Sequence, residues 1–234
     1  MGENAAKATG VARAPMARRA FLVGGASLAL PLLSPNLAHA QSGVPSDGKI
    51  AFKVMRKGAH IGEHQLTFTQ DGDALTVQVE VRITVHIGPV PVYHYVQHCT
   101  ERWKGGLFMG LDSATSSNVS HEKVTARRTP DGVRIEPSSG TPYLASADTL
   151  PLTHWNRFAY QGPLFDPQAG KLLKLSLVSR GDDMVQLADG SSVKAVRWTV
   201  AGDGMMDDYY DAGGVWTGLH VRVQDGSQVQ YLRL

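Results

Sequence analysis

The segment Ala74 to Ile87 alternates between apolar and polar side chains, and this pattern constrains the fold more than any other feature of the sequence. Seven apolar residues, from Leu75 to Ile87, are each separated from the next by one polar residue. Successive side chains of a β-strand point to opposite faces of the sheet, whereas a helix would spread the same valines around its circumference. The sequence therefore predicts a long strand over 74–87, with one buried face and one polar face.

Turn signals divide much of the chain into further segments of this kind. Asp-Gly pairs, which supply the positive φ angles of tight hairpins, begin at Asp71, Asp131, Asp189 and Asp225. Nine more strands are predicted on this basis: Ile50–Arg56, Ile61–Thr69, Val92–Trp103, Leu107–Ser116, Val124–Arg128, Leu172–Val178, Val193–Val200, Val215–Val223 and Val229–Leu234. The predicted fold is all-β, an antiparallel meander of ten or more strands. Because large flat sheets leave long open edges, we expect it to curve into a half-barrel or β-spiral.

One segment, residues 146–172, interrupts the strand pattern. Its three prolines argue against a central strand. Thr153 is a suitable N-cap, and Trp155, Phe158 and Ala159 follow helical spacing. We therefore predict one short helix, over about 153–161, that packs against the sheet as a plug or lid.

The first forty residues have the features of an export signal. Two arginines precede a short apolar run that ends in a small-residue cleavage motif, and the pattern resembles a twin-arginine signal in which Ala17 and Val23 replace the usual outer residues. A general secretory signal is the alternative. We expect cleavage after residue 40, a loose tail over 41–48, a single domain over 49–234, and a soluble periplasmic product. The residues that carry the signal are Arg18, Arg19, Phe21, Leu22, Ala38 and Ala40.

The charge balance argues against nucleic acid as a partner. Four basic residues and one acidic residue lie within 1–40, which leaves 19 basic and 20 acidic residues in the remainder of the chain. A near-neutral domain lacks the basic surface of a nucleic-acid-binding protein. The single cysteine, Cys99, excludes an intramolecular disulfide, and we expect it to be a small buried side chain.

Five segments carry a resemblance to a known family. They are FKVMRKGAHIGEHQLTF, RWKGGLFMGLDSAT, LPLTHWN, LFDPQAGKL, and YYDAGGVWTGLHV with the later GSQVQYLRL. In this order, over residues 49–234, they resemble a family of exported bacterial proteins classed as domain of unknown function 6134. The resemblance implies an exported β-rich domain and no particular activity. Its architecture is similar to that of periplasmic proteins with spiral or half-barrel sheets, such as lipoprotein carriers.

No catalytic, metal or cofactor motif emerges from the residues. Two histidine pairs, His60 with His64 and His94 with His98, have i, i+4 spacing, which on a strand places the imidazoles about 13 Å apart, too far for one ion. The acidic cluster Asp203, Asp207, Asp208 and Asp211 lacks the order of a calcium loop, and Asp211 to Gly214 is typical of a hairpin turn. We therefore expect no metal and no cofactor, and we assign no catalytic residue.

Aromatic residues offer the best candidates for a binding site. They could line an apolar cavity between the curved sheet and the short helix, with one amide as a polar anchor; alternatively, they fill the core. The candidates are Trp103, Trp155, Asn156, Phe158, Tyr160 and Tyr210.

Three functions remain open at this point. The leading hypothesis is a non-enzymatic periplasmic protein that binds a lipid-like or other apolar ligand, or a partner in the cell envelope. The alternatives are a hydrolase whose site is assembled from distant strands, and a structural or interaction module that uses an exposed sheet edge.

Overall fold

The computed structural model describes residues 43–202, 205–223 and 225–234. These residues form sixteen strands and one short 3₁₀ helix. The strands are β1 Lys49–Arg56, β2 Ala59–Asp71, β3 Ala74–Ile87, β4 Val90–Lys104, β5 Leu107–Ser117, β6 His121–Thr129, β7 Gly132–Pro137, β8 Tyr143–Ala145, β9 Leu150–Pro151, β10 Leu164–Phe165, β11 Leu172–Leu173, β12 Leu175–Gln186, β13 Ser192–Gly202, β14 Met206–Tyr210, β15 Trp216–Arg222 and β16 Gln228–Arg233. The all-β prediction is confirmed, and the alternating segment 74–87 is strand β3.

Thirteen of the strands form one large antiparallel sheet, in the order β12-β13-β14-β15-β16-β1-β2-β3-β4-β5-β6-β7-β8. The predicted meander is therefore correct, with one addition: β16 pairs with β1, so the last strand of the chain joins the two runs of hairpins. The sheet does not close, because β12 and β8 stand at its two ends. Irregularities in register interrupt several of the pairings, and such bulges bend a strand and increase its twist.

The interior segment 146–174 crosses the inner face of this sheet. It contributes the small sheet β11-β10-β9, in which Pro151 lies on an edge strand as expected of a residue without an N–H. Trp155 and Phe165 of this segment are completely buried and join the main hydrophobic core. The segment thus fills the concave side of the sheet.

The predicted short helix over 153–161 is present, but it is shorter than predicted because it begins only at Arg157. The structure has a 3₁₀ helix of five residues, Arg157–Gln161, which follows Asn156. Residues 153–156 are not helical because their side chains pack against the large sheet and bond to it. Thr153 is buried, and the indole of Trp155 donates a hydrogen bond to Glu101 of β4. Tertiary contacts therefore override the helical spacing.

Two further predictions concern the first 48 residues. In the segment predicted as a loose tail, 41–48, Gly43 and Pro45 are buried and Val44 packs against the core. The residues of the predicted export signal lie outside the described residues, as does Asp203. Among the described residues, no helix is long and apolar enough to cross a membrane.

Candidate functional site

A cavity of about 290 Å³ lies on the inner face of the large sheet. Strands β2, β3 and β4 form one wall, strands β15 and β16 form another, and residues 152–154 and 167–168 of the interior segment close it. Much of the lining is apolar, with Leu66, Val81 and Leu219 among the side chains that reach it. The polar groups that interrupt this apolar lining are the features that distinguish the cavity from ordinary core.

His64 is the most unusual of these polar groups. It is only 8% exposed, and neither Nδ1 nor Nε2 of its ring has a hydrogen-bond partner. Aromatic rings surround it, with centroids 5.3 Å away for Trp216, 5.6 Å for Tyr231 and 6.2 Å for Phe52. Burial, together with the charge of His154, lowers the pKa of His64 from 6.5 to about 3. At neutral pH the imidazole is therefore uncharged and presents one donor and one acceptor without partners.

A histidine–aspartate pair lies beside it. Nδ1 of His154 is 3.0 Å from Oδ2 and 3.1 Å from Oδ1 of Asp208, a residue of β14 that is completely buried. The imidazole of His154 stacks on Trp216, with ring centroids 4.9 Å apart and an angle of 17° between the planes. Since a carboxylate only accepts hydrogen bonds, Nδ1 of His154 is the donor, and the carboxylate fixes the orientation of the ring.

Asp208 is held by two further donors. The indole Nε1 of Trp216 donates to Oδ1 at 3.0 Å, and the hydroxyl of Tyr160 donates to Oδ2 at 3.1 Å. Burial and the nearby Asp208 raise the pKa of Tyr160 well above its usual value, so that its hydroxyl stays a donor. The hydroxyl of Tyr210 donates to the backbone carbonyl of His154 at 2.8 Å and anchors the same loop. Both carboxylate oxygens of Asp208 thus have hydrogen-bond donors as partners.

Glu101 is a second buried carboxyl group, and it lines the cavity. Its Oε2 accepts from Nε1 of Trp103 at 3.0 Å and from Nε1 of Trp155 at 3.1 Å. Burial raises the pKa of Glu101, and the hydrogen bonds from the Trp155, Trp103 and Thr153 side chains act in the opposite direction. Cys99, two residues earlier on the same face of β4, is a buried free thiol whose pKa burial raises, as the sequence predicted for a small buried side chain.

The aromatic residues predicted to bind a ligand lie elsewhere. Trp103, Trp155, Asn156, Tyr160 and Tyr210 are buried, and the first two serve as donors to Glu101. None of the six candidates lines the cavity around His64. Three of them, Trp103, Asn156 and Phe158, line a separate depression of about 470 Å³ near the β4–β5 turn.

Sequence reasoning missed His64, Glu101, His154 and Asp208. A signal was available for two of them. His64, Leu66 and Phe68 occupy every second position of β2 and therefore share its buried face. Cys99, Glu101 and Trp103 share the buried face of β4 in the same way. The acidic cluster divides, since Asp207 and Asp208 belong to β14 and only Asp211 to Gly214 forms the predicted turn. Within the described part of the chain, no three histidine, cysteine or acidic side chains are grouped closely enough to hold a metal ion.

The site can bind a molecule by hydrogen bonds and apolar contact. Its free groups are both nitrogens of the neutral His64, and its walls combine aliphatic and aromatic side chains with a comparable share of polar surface. Among the described residues, no hydroxyl or thiol hydrogen bonds to the ring of His154, so the histidine–aspartate pair has no nucleophile aligned with it.

Comparisons with known proteins agree with this architecture. A family model described as domain of unknown function (DUF6134) matches residues 52–234. The chain belongs to this family. A search of solved structures matches this DUF6134 chain to the crystal structure of a β-barrel-like protein of domain of unknown function DUF1849 from Brucella abortus. The TM-score is 0.57 and the sequence identity 13%, and the match covers 80% of this chain and 94% of that one. At this identity the likeness shows the fold alone, and no curated protein matches the DUF6134 chain.

Proposed function

We propose that this chain binds a small uncharged molecule with an apolar body and a hydroxyl or carbonyl group, in the cavity that His64 lines. The observation that carries the proposal is the pair of unpartnered nitrogens on a buried imidazole. Buried polar groups almost always have a hydrogen-bond partner, and an orphan costs about 1–3 kcal/mol. A ligand hydroxyl that donates to one nitrogen, or a carbonyl that accepts from the other, removes that cost.

The charge of the lining argues for an uncharged ligand. Among the described residues, no lysine or arginine lines the cavity, so a ligand carboxylate or phosphate would find no counter-ion in that part of the protein. The environment also disfavours a cation, because it lowers the pKa of His64 to about 3. The two buried carboxyl groups are already engaged by indole, phenol and imidazole donors.

The size of the cavity limits the ligand. At about 290 Å³ it lies near the lower end of the roughly 300–1,000 Å³ that is typical of small-molecule sites. It suits a single short chain or ring better than a whole diacyl lipid. We place this activity in the periplasm, on the strength of the export signal around Arg18 and Arg19.

The test is titration calorimetry of the full chain with 1-octanol, and with octanoate as the charged analogue of the same length. We expect 1-octanol to bind at least about tenfold more tightly than octanoate, because the anion has no counter-ion in the cavity. His64→Leu should weaken 1-octanol about tenfold through loss of a hydrogen bond. His60→Leu is the matched control, since His60 is an exposed histidine on the same strand, and its affinity should equal that of the wild type.

Two results would overturn the proposal. One is equal 1-octanol affinity in the His64→Leu and His60→Leu variants, which would place the alcohol outside the cavity. The other is tighter binding of octanoate than of 1-octanol. Native mass spectrometry of the protein purified from its own source, followed by solvent extraction, then identifies the natural ligand.

A further inference from the structure

We infer that the tip of the β3–β4 hairpin docks into a lipid surface. This apolar tip comprises the exposed side chains of Ile87, Val90, Val92 and Tyr93, together with Val119 from the adjacent β5–β6 turn. Docking does not require the cavity to be occupied, so the inference stands independently of the proposed ligand.

The hairpin extends beyond its neighbours in the sheet. Strand β2 pairs with β3 only as far as Ile83, and β5 pairs with β4 only as far as Tyr95. From His86 to His94, nine consecutive residues are exposed. The end of the hairpin is therefore a two-stranded projection with both of its faces in solvent.

The projection is apolar and carries no formal charge. Ile87 is 72% exposed and Val90 is 56% exposed. Val119, which is 91% exposed, lies beside them, because the side chain of its neighbour Asn118 bonds the backbone of Val92 and His94. No lysine, arginine, aspartate or glutamate occurs between Arg82 and Glu101. Clusters of exposed apolar side chains of this kind mark interaction sites.

The geometry favours lipid over a protein strand as the occupant. A strand that added to the sheet would need free backbone groups along one edge. On the β4 side, Asn118 accepts from the N–H of His94 at 2.7 Å and donates to the carbonyl of Val92 at 3.0 Å. On the β3 side, only residues 84–87 extend beyond the last pair with β2, which is short for an added strand. Pro89 and Pro91 have no N–H to offer. Missing donors and missing charges both lower the cost of entering a medium without water. A flat protein surface would also leave one face of the projection uncovered, whereas lipid covers both.

The apolar tip is continuous with the cavity. Tyr93 belongs to the tip and lines the cavity as well, and Tyr95 and Ile83 continue the lining inward. Tyrosine is suited to a membrane interface because its ring is apolar and its hydroxyl remains hydrated. An apolar molecule in the outer layer of a lipid surface would therefore lie next to the entrance of the cavity.

The test uses an environment-sensitive fluorophore attached at the tip of the full chain. Val90→Cys is labelled in a Cys99→Ala background, and Leu107→Cys carries the same label as the matched control. Leu107 is an exposed apolar residue at the start of β5, where it pairs with Lys104 at the end of β4 remote from the tip. Vesicles of phosphatidylcholine are the probe.

We expect a blue shift and a rise in emission at position 90 and no change at position 107. Because the tip carries no charge, the signal should be the same at low and high salt. The exposed double substitution Ile87→Ser and Val90→Ser, with unchanged circular dichroism, should reduce the vesicle-bound fraction about tenfold through loss of apolar contact.

Three results would overturn the inference. An unchanged signal at position 90 would show that the tip stays in water. Equal shifts at positions 90 and 107 would show that another part of the chain adsorbs to the vesicles. Unchanged vesicle binding of the double serine variant would show that its apolar side chains play no part.

Discussion

At the scale of single residues, the interior is organised by indole N–H groups that donate to buried carboxyl groups. Trp103 and Trp155 both donate to Glu101, and Trp216 donates to Asp208. Each carboxyl group lies among aromatic side chains that it fixes in orientation. His64 packs edge-on against one of these indoles, that of Trp216, but its ring nitrogens have no hydrogen-bond partner, so the stability cost of burying them depends on what occupies the cavity.

The titration of His64 leads to a pH dependence of stability. Its pKa is lowered to about 3 in the folded protein, whereas an unfolded histidine titrates near 6.5. Between these values the unfolded chain binds a proton that the folded chain does not, so stability falls as the pH drops from about 6.5 towards about 3. His64→Leu removes this contribution. The free energy of unfolding of the variant, measured relative to that of the wild type, should therefore rise by about 2–3 kcal/mol between pH 8 and pH 4.5.

Urea unfolding of the wild type, His64→Leu and the exposed control His60→Leu at both pH values measures this difference. The control should follow the wild type. If all three lose stability equally on acidification, the folded pKa of His64 is not depressed and the imidazole is not buried as described.

The buried polar residues were within reach of sequence reasoning, but their pairings were not. The spacing of two residues between His64, Leu66 and Phe68 is enough to place His64 on the buried face of its strand. The bond between His154 and Asp208, by contrast, joins residues 54 positions apart, and no local pattern specifies it. Contacts of this kind depend on how strands are arranged, which single-segment patterns do not report.

At the scale of elements, the prediction succeeded for long segments with an unbroken apolar–polar alternation and failed for segments that are short or whose alternation is broken. Strand β3 has neighbours on both sides and shows its period-two pattern almost throughout. Strand β14 is absent from the predicted strands because its five residues include the adjacent pair Asp207 and Asp208, and Asp208 is buried only through distant partners such as Tyr160. The short pieces β9, β10 and β11 have only two residues each, too few for any periodicity to show.

The close approach of β2 and β3 depends on Gly62. A Cβ atom at this position would lie 2.0 Å from the carbonyl oxygen of Arg82, a backbone atom that cannot move without disturbing the sheet. Gly62 also lies beside the register irregularity between β1 and β2. We expect Gly62→Ala to lower the free energy of unfolding by about 3 kcal/mol, as overpacking against backbone does.

Gly140→Ala is the matched control for this substitution. Gly140 is exposed, and an added Cβ would meet only the side chain of Pro137, at 3.2 Å. Its stability should stay within about 0.5 kcal/mol of the wild type. Chemical denaturation measures both, and equal effects of the two substitutions would contradict the assigned role of Gly62.

At the scale of the whole molecule, one pairing of distant strands holds the large sheet together. Strands β12 to β15 and strands β1 to β8 are each built from neighbours in sequence, and β16 joins the two groups by pairing with β1. The side chains of Arg56 and Ser227, which bond across this pair, are 171 residues apart in sequence. An antiparallel meander of ten or more strands could be predicted, but this pairing could not, because no turn in the sequence connects β1 to β16.

A cross-link across this pair should stabilise the protein more than one within a hairpin. In a Cys99→Ala background, Lys53→Cys with Leu232→Cys joins register partners of β1 and β16, and Gln78→Cys with Thr100→Cys joins register partners of β3 and β4. Since the entropy removed from the unfolded chain grows with loop length, we expect about 5 kcal/mol for the first disulfide and about 3 kcal/mol for the second. Denaturation of each variant with and without reductant measures the gain. A larger gain from the hairpin disulfide would contradict the proposed register.

The pairing of β1 with β16 also bears on how the protein is made. Strand β1 leaves the ribosome first among the strands and must wait for β16, the last of them, before its second edge is covered. Until then, nascent chains carry an open edge, the feature by which β-proteins associate wrongly. A product that stops short of β16 keeps the edge of β1 open, in addition to the edges of β8 and β12 that the finished sheet retains.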